Sequence, residues 1–116
     1  MVLNAESADK VVVVTRTSGS QVDINGISLF LVDLDSEGIE RDNFPTVDGL
    51  RASEISFKDV EVSAENLIGE KDKGFSILQE VVNDAILALS AEAVGAMEVL
   101  YKDCLLYTSD AADEGG

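Results

Sequence analysis

DGLRASEISFKDVEVSAENLIGEKDKGF, from Asp48 to Phe75, contains the boundary between the two periodicities that decide the fold. Its first half alternates apolar with polar residues from Ala52 to Val62, which is the pattern of a strand with one buried face. The alternation slips by one position near Lys58-Asp59, which predicts a bulge or a turn there. After Gly69 the alternation stops. The stretch therefore predicts a change from β to α structure.

The residues before this stretch also predict strands. Val11 to Thr15 is a β-branched run, and Ile27 to Val32 is an apolar run after the turn-forming pair Asn25-Gly26. Ile39 to Phe44 is a shorter strand that Pro45 should end, because proline cannot donate to a ladder. Strands with one wet face predict an antiparallel sheet, arranged as a barrel or a sandwich.

From Phe75 onward the apolar spacing becomes that of a helix, for which Asp72 is the expected N-cap. The stripe advances by threes and fours through Phe75, Leu78, Val82, Ile86, Leu89, Ala93 and Met97. Other apolar residues widen it around most of the helix, and Ala88, Ala91 and Gly95 form a small-residue patch. Since exposed apolar surface costs about 25 cal/mol per Å², we expect other helices to cover it. The predicted fold class is α+β: an antiparallel barrel- or sandwich-like sheet, then one long helix cut from a bundle.

Composition excludes several classes of function. The 116 residues include 23 acidic and 8 basic side chains, for a net charge of −15, which argues against nucleic acid and membrane surfaces as partners. Histidine is absent, so imidazole catalysis and most zinc sites are excluded, and no metal site is predicted. One cysteine allows no internal disulfide, and MVLNAESADK does not read as a signal peptide. We expect a cytoplasmic protein.

Motifs in this order resemble acyl-CoA dehydrogenases. Residues 49–53 match a G-x-R-x-S turn, and residues 67–75 match L-x-G-x-x-x-x-G-F, which leads into that family's C-terminal helices. ADKVVVVTRT and GISLFLVD resemble two earlier strands of its middle β-domain, and AEAVGAMEVL resembles its first C-terminal helix. The resemblance implies that residues 1–69 are that β-domain, incomplete at the N-terminus, and that residues 70–103 are the first helix of the bundle.

The resemblance implies a flavoenzyme. FAD accepts a hydride from Cβ of an acyl-CoA while a glutamate removes the α-proton, giving a 2-enoyl-CoA. The family's base lies beyond the position of Asp103, so no catalytic residue is expected in this chain and the fragment alone should be inactive. The resemblance further implies a homo- or hetero-oligomer assembled through the helical bundle.

Four positions correspond to ligand-contacting positions of that family. MVLNA corresponds in sequence to a W-I-T-N-G segment that lies beside the flavin in that family, so Leu3 and Asn4 are the candidate cofactor-binding residues. Without the resemblance, Asn4 is equally well interpreted as a turn residue. Asn83 and Ile86 stand where the family has an Asp and an Arg near the acyl-CoA, and are the candidate substrate-binding residues. Leu3 cannot hydrogen-bond, and Ile86 removes a cation.

These departures keep two alternatives open. The parent protein is either a catalytic dehydrogenase subunit or a non-catalytic partner subunit of a heteromeric one. A free-standing ligand-binding β-domain is a further alternative, opposed by the apolar helix. We expect Arg51 to form a surface ion pair, which is the commoner role of such a residue. We expect Asp84 and Glu92 to lie at a solvated edge of the helix or to pair with another helix.

The last residues have a different character. One back-translation of CLLYTSDAADE, Cys104 to Glu114, resembles the end of a transposase-based sequencing-library adapter. We therefore interpret residues 104–116 as an adapter-derived tail and expect the natural sequence to continue as helix after Asp103.

Overall fold

The computed structural model describes residues 1–113, and the chain divides into two compact units, Met1–Ile77 and Leu78–Gly116. The first unit holds six strands and two single 3-10 turns, at Ala5–Ser7 and Ala64–Asn66. The elements in chain order are β1 (Val2–Leu3), β2 (Lys10–Arg16), β3 (Ile27–Asp33), β4 (Ile39–Pro45), β5 (Arg51–Phe57), β6 (Leu67–Ile68) and the helix α1 (Gly74–Asp113).

The strands form two three-stranded antiparallel sheets, with the orders β1-β5-β4 and β2-β3-β6. The α+β class and the antiparallel pairing are confirmed. The barrel form is not: within residues 1–113 the two sheets stay separate. A sheet of three strands is too narrow to close on itself as a barrel.

The sequence located three of the four long strands within a residue or two. Val11 to Thr15 lies inside β2, Ile27 to Val32 inside β3, and Ile39 to Phe44 inside β4, whose last residue is Pro45. β5 ends at Phe57, sooner than the alternation predicted. Asp59 has φ 51°, so the slip seen near Lys58-Asp59 is a turn, and the backbone N–H of Lys58 donates to the carbonyl of Gly38 at 2.8 Å.

The core of the first unit is small and contains two fully buried serines. Its buried apolar residues are Ala5, Leu29, Val32, Leu34 and Ala52. The Ser53 hydroxyl donates to Asn43 Oδ1 at 2.6 Å, and Ser28 Oγ lies 2.6 Å from Thr17 Oγ1. Both buried hydroxyls are therefore satisfied, as buried polar groups in folded proteins generally are.

Asp72 is not the N-cap of the helix. Helix α1 begins at Gly74, and Asp72, with φ 67°, lies two residues earlier. Its carboxylate accepts a hydrogen bond from the Thr17 hydroxyl, while its backbone N–H donates to Ser28 Oγ at 2.8 Å. Because the Thr17 proton points to Asp72, the Ser28 hydroxyl donates to Thr17. The hydrogen bond from Thr17 lowers the pKa of Asp72.

Helix α1 is exposed along its length after the first turn. Every residue from 79 to 112 is exposed, including Leu87 at 72% and Leu89 at 64%. The predicted helix is confirmed, and what covers its apolar side chains stays a prediction. Residues 104–113 continue the helix, while residues 114–116 of the expected tail lie outside the described residues. Within the described part of the chain, no helix has an apolar stretch long enough to span a membrane.

Candidate functional site

The two candidate cofactor-binding residues lie at the start of the chain, beside β5. Strand β1 pairs with β5 through Val2 opposite Ser53 and Leu3 opposite Ala52. The Leu3 side chain is 61% exposed. Asn4 follows in the left-handed region, with φ 58° and ψ 17°, a conformation that asparagine tolerates better than most residues. Leu3 and Asn4 therefore present an apolar side chain and an amide side by side.

The structure confirms that Asn4 is a turn residue, and its contact with a flavin stays a prediction. It is a turn residue, because its carbonyl accepts from the Ser7 backbone N–H at 3.2 Å and its own N–H donates to the Arg51 carbonyl at 2.9 Å. Its side chain, however, makes no capping hydrogen bond to the 3-10 turn that follows. The amide is thus left for another partner.

Two arginines hold the segment that follows Asn4. Arg51 Nε lies 2.6 Å from Glu6 Oε2, and its Nη2 lies 3.2 Å from Oε1, so the pair is bidentate. Arg41 Nη1 donates to the carbonyls of Ala5 at 3.2 Å and Ala8 at 3.3 Å. The hydrogen bond from Arg51 lowers the pKa of Glu6, and the same contact raises the pKa of Arg51. The surface ion pair expected for Arg51 is confirmed.

The exposed pair fits part of a flavin site. A flavin ring has apolar faces and a polar edge; Leu3 offers van der Waals contact to such a face, and the Asn4 amide can both donate to and accept from such an edge. The pair supplies no positive charge for a pyrophosphate. These residues therefore suit one wall of a ring pocket and not a whole cofactor site.

The candidate substrate-binding residues lie on the second unit. Asn83 and Ile86 are three positions apart on α1, so they are neighbours on its surface. Both are exposed, Ile86 at 56%. Asp84 and Glu92 are exposed as well, which agrees with the solvated-edge interpretation. An amide beside an aliphatic side chain offers no charge to an anionic ligand.

The first unit contains a cavity of about 610 Å³ whose lining includes none of the four candidates. It is lined by Ser36, Glu37, Gly38, Lys58, Asp59 and Glu61, around the turns that follow β3 and β5. Among residues 1–113 there is no group of three or more His, Cys, Asp or Glu residues placed to hold a metal ion. Cys104 is a free, exposed thiol.

Sequence reasoning missed the contacts of Glu6 and Arg41. The sequence gives no signal for Arg41, because the carbonyls that it contacts lie 33 and 36 positions earlier. Glu6 gives none either, since it is one of many acidic residues and its partner lies 45 positions away.

No family model matches the chain, but curated proteins do. It is 29% identical over 114 residues to the caffeyl-CoA reductase-Etf complex subunit CarC of Acetobacterium woodii, which covers 96% of this chain and 30% of that protein. It is 28% identical over 117 residues to the short-chain specific acyl-CoA dehydrogenase of Megasphaera elsdenii, covering 98% of this chain and 30% of that enzyme. The chain thus spans about 30% of the length of these relatives.

Solved structures give similar matches. A probable acyl-CoA dehydrogenase from Mycobacterium abscessus aligns with a TM-score of 0.62 and 31% identity, over 67% of this chain and 21% of that one. A chain of the ChsE4-ChsE5 complex from Mycobacterium tuberculosis aligns with a TM-score of 0.61 and 26% identity, over 70% of this chain and 21% of that one.

Proposed function

The curated homologues and structural neighbours of this chain are acyl-CoA dehydrogenases, and from this premise we propose that it is a piece of an FAD-dependent acyl-CoA dehydrogenase. The parent protein oxidises an acyl-CoA to its 2-enoyl-CoA. The observation that carries the proposal is the similarity over 96% of this chain to a caffeyl-CoA reductase-Etf complex subunit and over 98% to a short-chain specific acyl-CoA dehydrogenase.

In this proposal residues 1–69 are the end of the middle β-domain and residues 70–103 begin the C-terminal helices, with residues 104–116 as the adapter-derived tail. Bound FAD supplies the hydride acceptor. Leu3 contacts the ring and the Asn4 amide bonds its polar edge, which the exposure of Leu3 and the uncapped Asn4 side chain support. Asn83 and Ile86 line the acyl-CoA. The catalytic base belongs to the part of the parent after Asp103.

The test is the parent protein, obtained by sequencing the gene beyond codon 103 and expressing it at full length. We expect visible flavin absorption in the purified protein and its bleaching when an acyl-CoA is added. A full-length protein that carries no flavin, and takes up none on refolding with FAD, would overturn the proposal. The 116-residue chain alone should give no acyl-CoA oxidation in the same assay.

A second candidate is a partner subunit of a heteromeric dehydrogenase, without chemistry of its own. Leu3 and Ile86 favour it, because one lacks a hydrogen-bonding group and the other lacks a charge at positions where the family has them. Two similar proteins are named as members of complexes, the CarC subunit and a chain of ChsE4-ChsE5. Full-length protein that is not bleached alone, but raises the bleaching rate of a co-expressed homologue, would favour this candidate.

The same experiments address the remaining expectations. Sedimentation of the full-length protein tests the homo- or hetero-oligomer, which the exposed apolar helix supports. A cytoplasmic location agrees with a chain that cannot form an internal disulfide, and fractionation of the source cells would test it.

A further inference from the structure

We propose that Arg51 and Arg41 are positioning residues that hold the flavin-contacting segment Met1–Asn4 in place through the 3-10 turn behind it. This inference rests on the proposed function, because it takes Leu3 and Asn4 to face the flavin. Neither arginine touches the ring in this proposal. Both act through residues 5–8.

Few backbone contacts join the segment to strand β5 in the described residues. Strand β1 consists of Val2 and Leu3 and pairs with β5 at two positions only. Beyond this pairing, the backbone hydrogen bond that anchors the segment is that of the Asn4 N–H to the Arg51 carbonyl, at 2.9 Å.

Arg51 holds the chain on both sides of the bend at Asn4. Its carbonyl accepts from Asn4, and its guanidinium forms the bidentate pair with Glu6, two residues later. Asn4 has φ 58°, and a non-glycine residue keeps such a conformation only where its surroundings determine it. The two contacts with Arg51 stabilise this conformation, because they fix the backbone at Asn4 and at Glu6.

Arg41 holds the same turn from strand β4. One of its nitrogens, Nη1, donates to the carbonyls of Ala5 and Ala8, the first and last residues of the bend behind the segment. Ala5 is only 2% exposed, so the turn is seated against the first unit and does not project from it. Removal of the guanidinium in Arg41→Ala would therefore remove both hydrogen bonds.

Positioning matters for the flavin because Leu3 offers contact without hydrogen bonds. A contact of this kind depends on distance alone and weakens over fractions of an ångström. Loss of the Arg51 side chain should therefore reduce flavin binding more than it reduces the stability of the apoprotein. An exposed ion pair contributes little to global stability, and Arg51 is 48% exposed and Glu6 37%.

The experiment uses the full-length parent protein with the variants Arg51→Ala and Glu6→Gln, and the exchanged pair Glu6→Arg with Arg51→Glu. Glu70→Gln is the matched control, because Glu70 also forms an exposed ion pair, with Lys73, in the same unit and away from residues 1–8. Three quantities are measured: the Kd of FAD for the apoprotein, the thermal midpoint of the apoprotein, and amide hydrogen exchange at Asn4 and Ser7.

We expect Arg51→Ala and Glu6→Gln to raise the Kd of FAD by about 3- to 10-fold, with the thermal midpoint unchanged. Exchange at Asn4 and Ser7 should become faster. The exchanged pair should restore both properties, and Glu70→Gln should alter neither. Arg41→Ala should speed exchange at Ser7, because both carbonyl contacts of the guanidinium are lost.

Several outcomes would overturn the inference. Unchanged exchange at Asn4 and Ser7 in Arg51→Ala would show that the side chain does not hold the turn, whether or not flavin binds. Faster exchange with an unchanged Kd would show that the turn does not position a flavin contact. An unaltered parent without any FAD binding would refute the proposed function first, and the exchange data would then report on the turn separately.

Discussion

The first unit and the helix that follows it differ in where their apolar side chains find cover. All five buried apolar residues of the described chain lie between Ala5 and Ala52, inside the first unit. In α1 every residue from 79 to 112 is exposed, although its apolar content is high. A sheet with one apolar face needs one layer of cover, whereas a helix apolar on most sides needs several neighbours. The first unit thus covers part of its apolar surface by itself, although Val12 and Val14 remain about half exposed, whereas residues 79–112 of the helix have no buried member.

The largest expected effect is at Gly26 and concerns the packing of the first unit. This glycine has φ +95°, and a Cβ there would lie 2.1 Å from the Ser18 carbonyl oxygen. We expect Gly26→Ala to lower the free energy of unfolding by about 3 kcal/mol or more, from backbone strain and overlap together. Urea unfolding followed by circular dichroism measures it.

Gly49→Ala is the control for that substitution. Gly49 has φ +82° but nothing within 4 Å of a built Cβ, so it keeps the strain without the overlap. Its cost should be about 1 kcal/mol. Equal costs at the two glycines would contradict the close approach of Ser18.

A matched pair of leucines compares the two regions directly. Leu29 is 4% exposed in β3, and Leu89 is 64% exposed in α1. In the 116-residue chain, Leu29→Ala should cost about 3 kcal/mol and Leu89→Ala no more than about 0.5 kcal/mol in urea unfolding. In the full-length parent, the loss of unfolding free energy caused by Leu89→Ala should rise toward that caused by Leu29→Ala, because other helices would then cover Leu89. Similar small costs in both proteins would mean that nothing covers this face.

What the sequence predicted well was local. Periodicity located β2, β3 and β4 and the start of the helix near Phe75, since each pattern is read within a few residues. The alternation of β5 was extended too far because Val60 and Val62 continue the apolar pattern after the turn at Asp59. A single-sequence pattern does not register a positive φ.

What the sequence missed depends on contacts between distant residues. Aspartate is a residue type that often caps helices, but the carboxylate of Asp72 accepts a hydrogen bond from Thr17, 55 positions earlier. Arg41 reaches Ala5 across 36 positions, and Arg51 reaches Glu6 across 45. The candidate site followed from a motif resemblance, whereas its supporting arginines required the fold.

A smaller effect concerns Asp72, in the loop that leads into α1. The hydrogen bond from Thr17 lowers the pKa of Asp72 in the folded chain. A lowered folded pKa stabilises the chain above the unfolded pKa, and this contribution is lost as the pH falls through the folded value. We expect Thr17→Val to raise the pKa of Asp72 toward its usual value and to flatten the acid dependence of stability below about pH 4. An NMR titration of the Asp72 carboxyl measures the first effect, and an unchanged pKa would contradict the contact.

The smallest expected effect is at Gly95. Like Leu89→Ala, a substitution there tests whether other helices cover α1, but in the 116-residue chain it should raise stability and not lower it. Glycine inside a helix is less favourable than alanine by about 0.5–1 kcal/mol, and a Cβ at Gly95 would meet nothing within 4 Å. Gly95→Ala should therefore raise the helicity and stability of the 116-residue chain by about that amount, as measured by circular dichroism. In the full-length parent the same substitution should be neutral or destabilising if another helix approaches at the patch formed by Ala88, Ala91 and Gly95, because the added methyl would then enter a close contact. Stabilisation of equal size in both proteins would contradict a close helix contact at this patch. Any contact of α1 with other helices would then have to be made by its large apolar side chains.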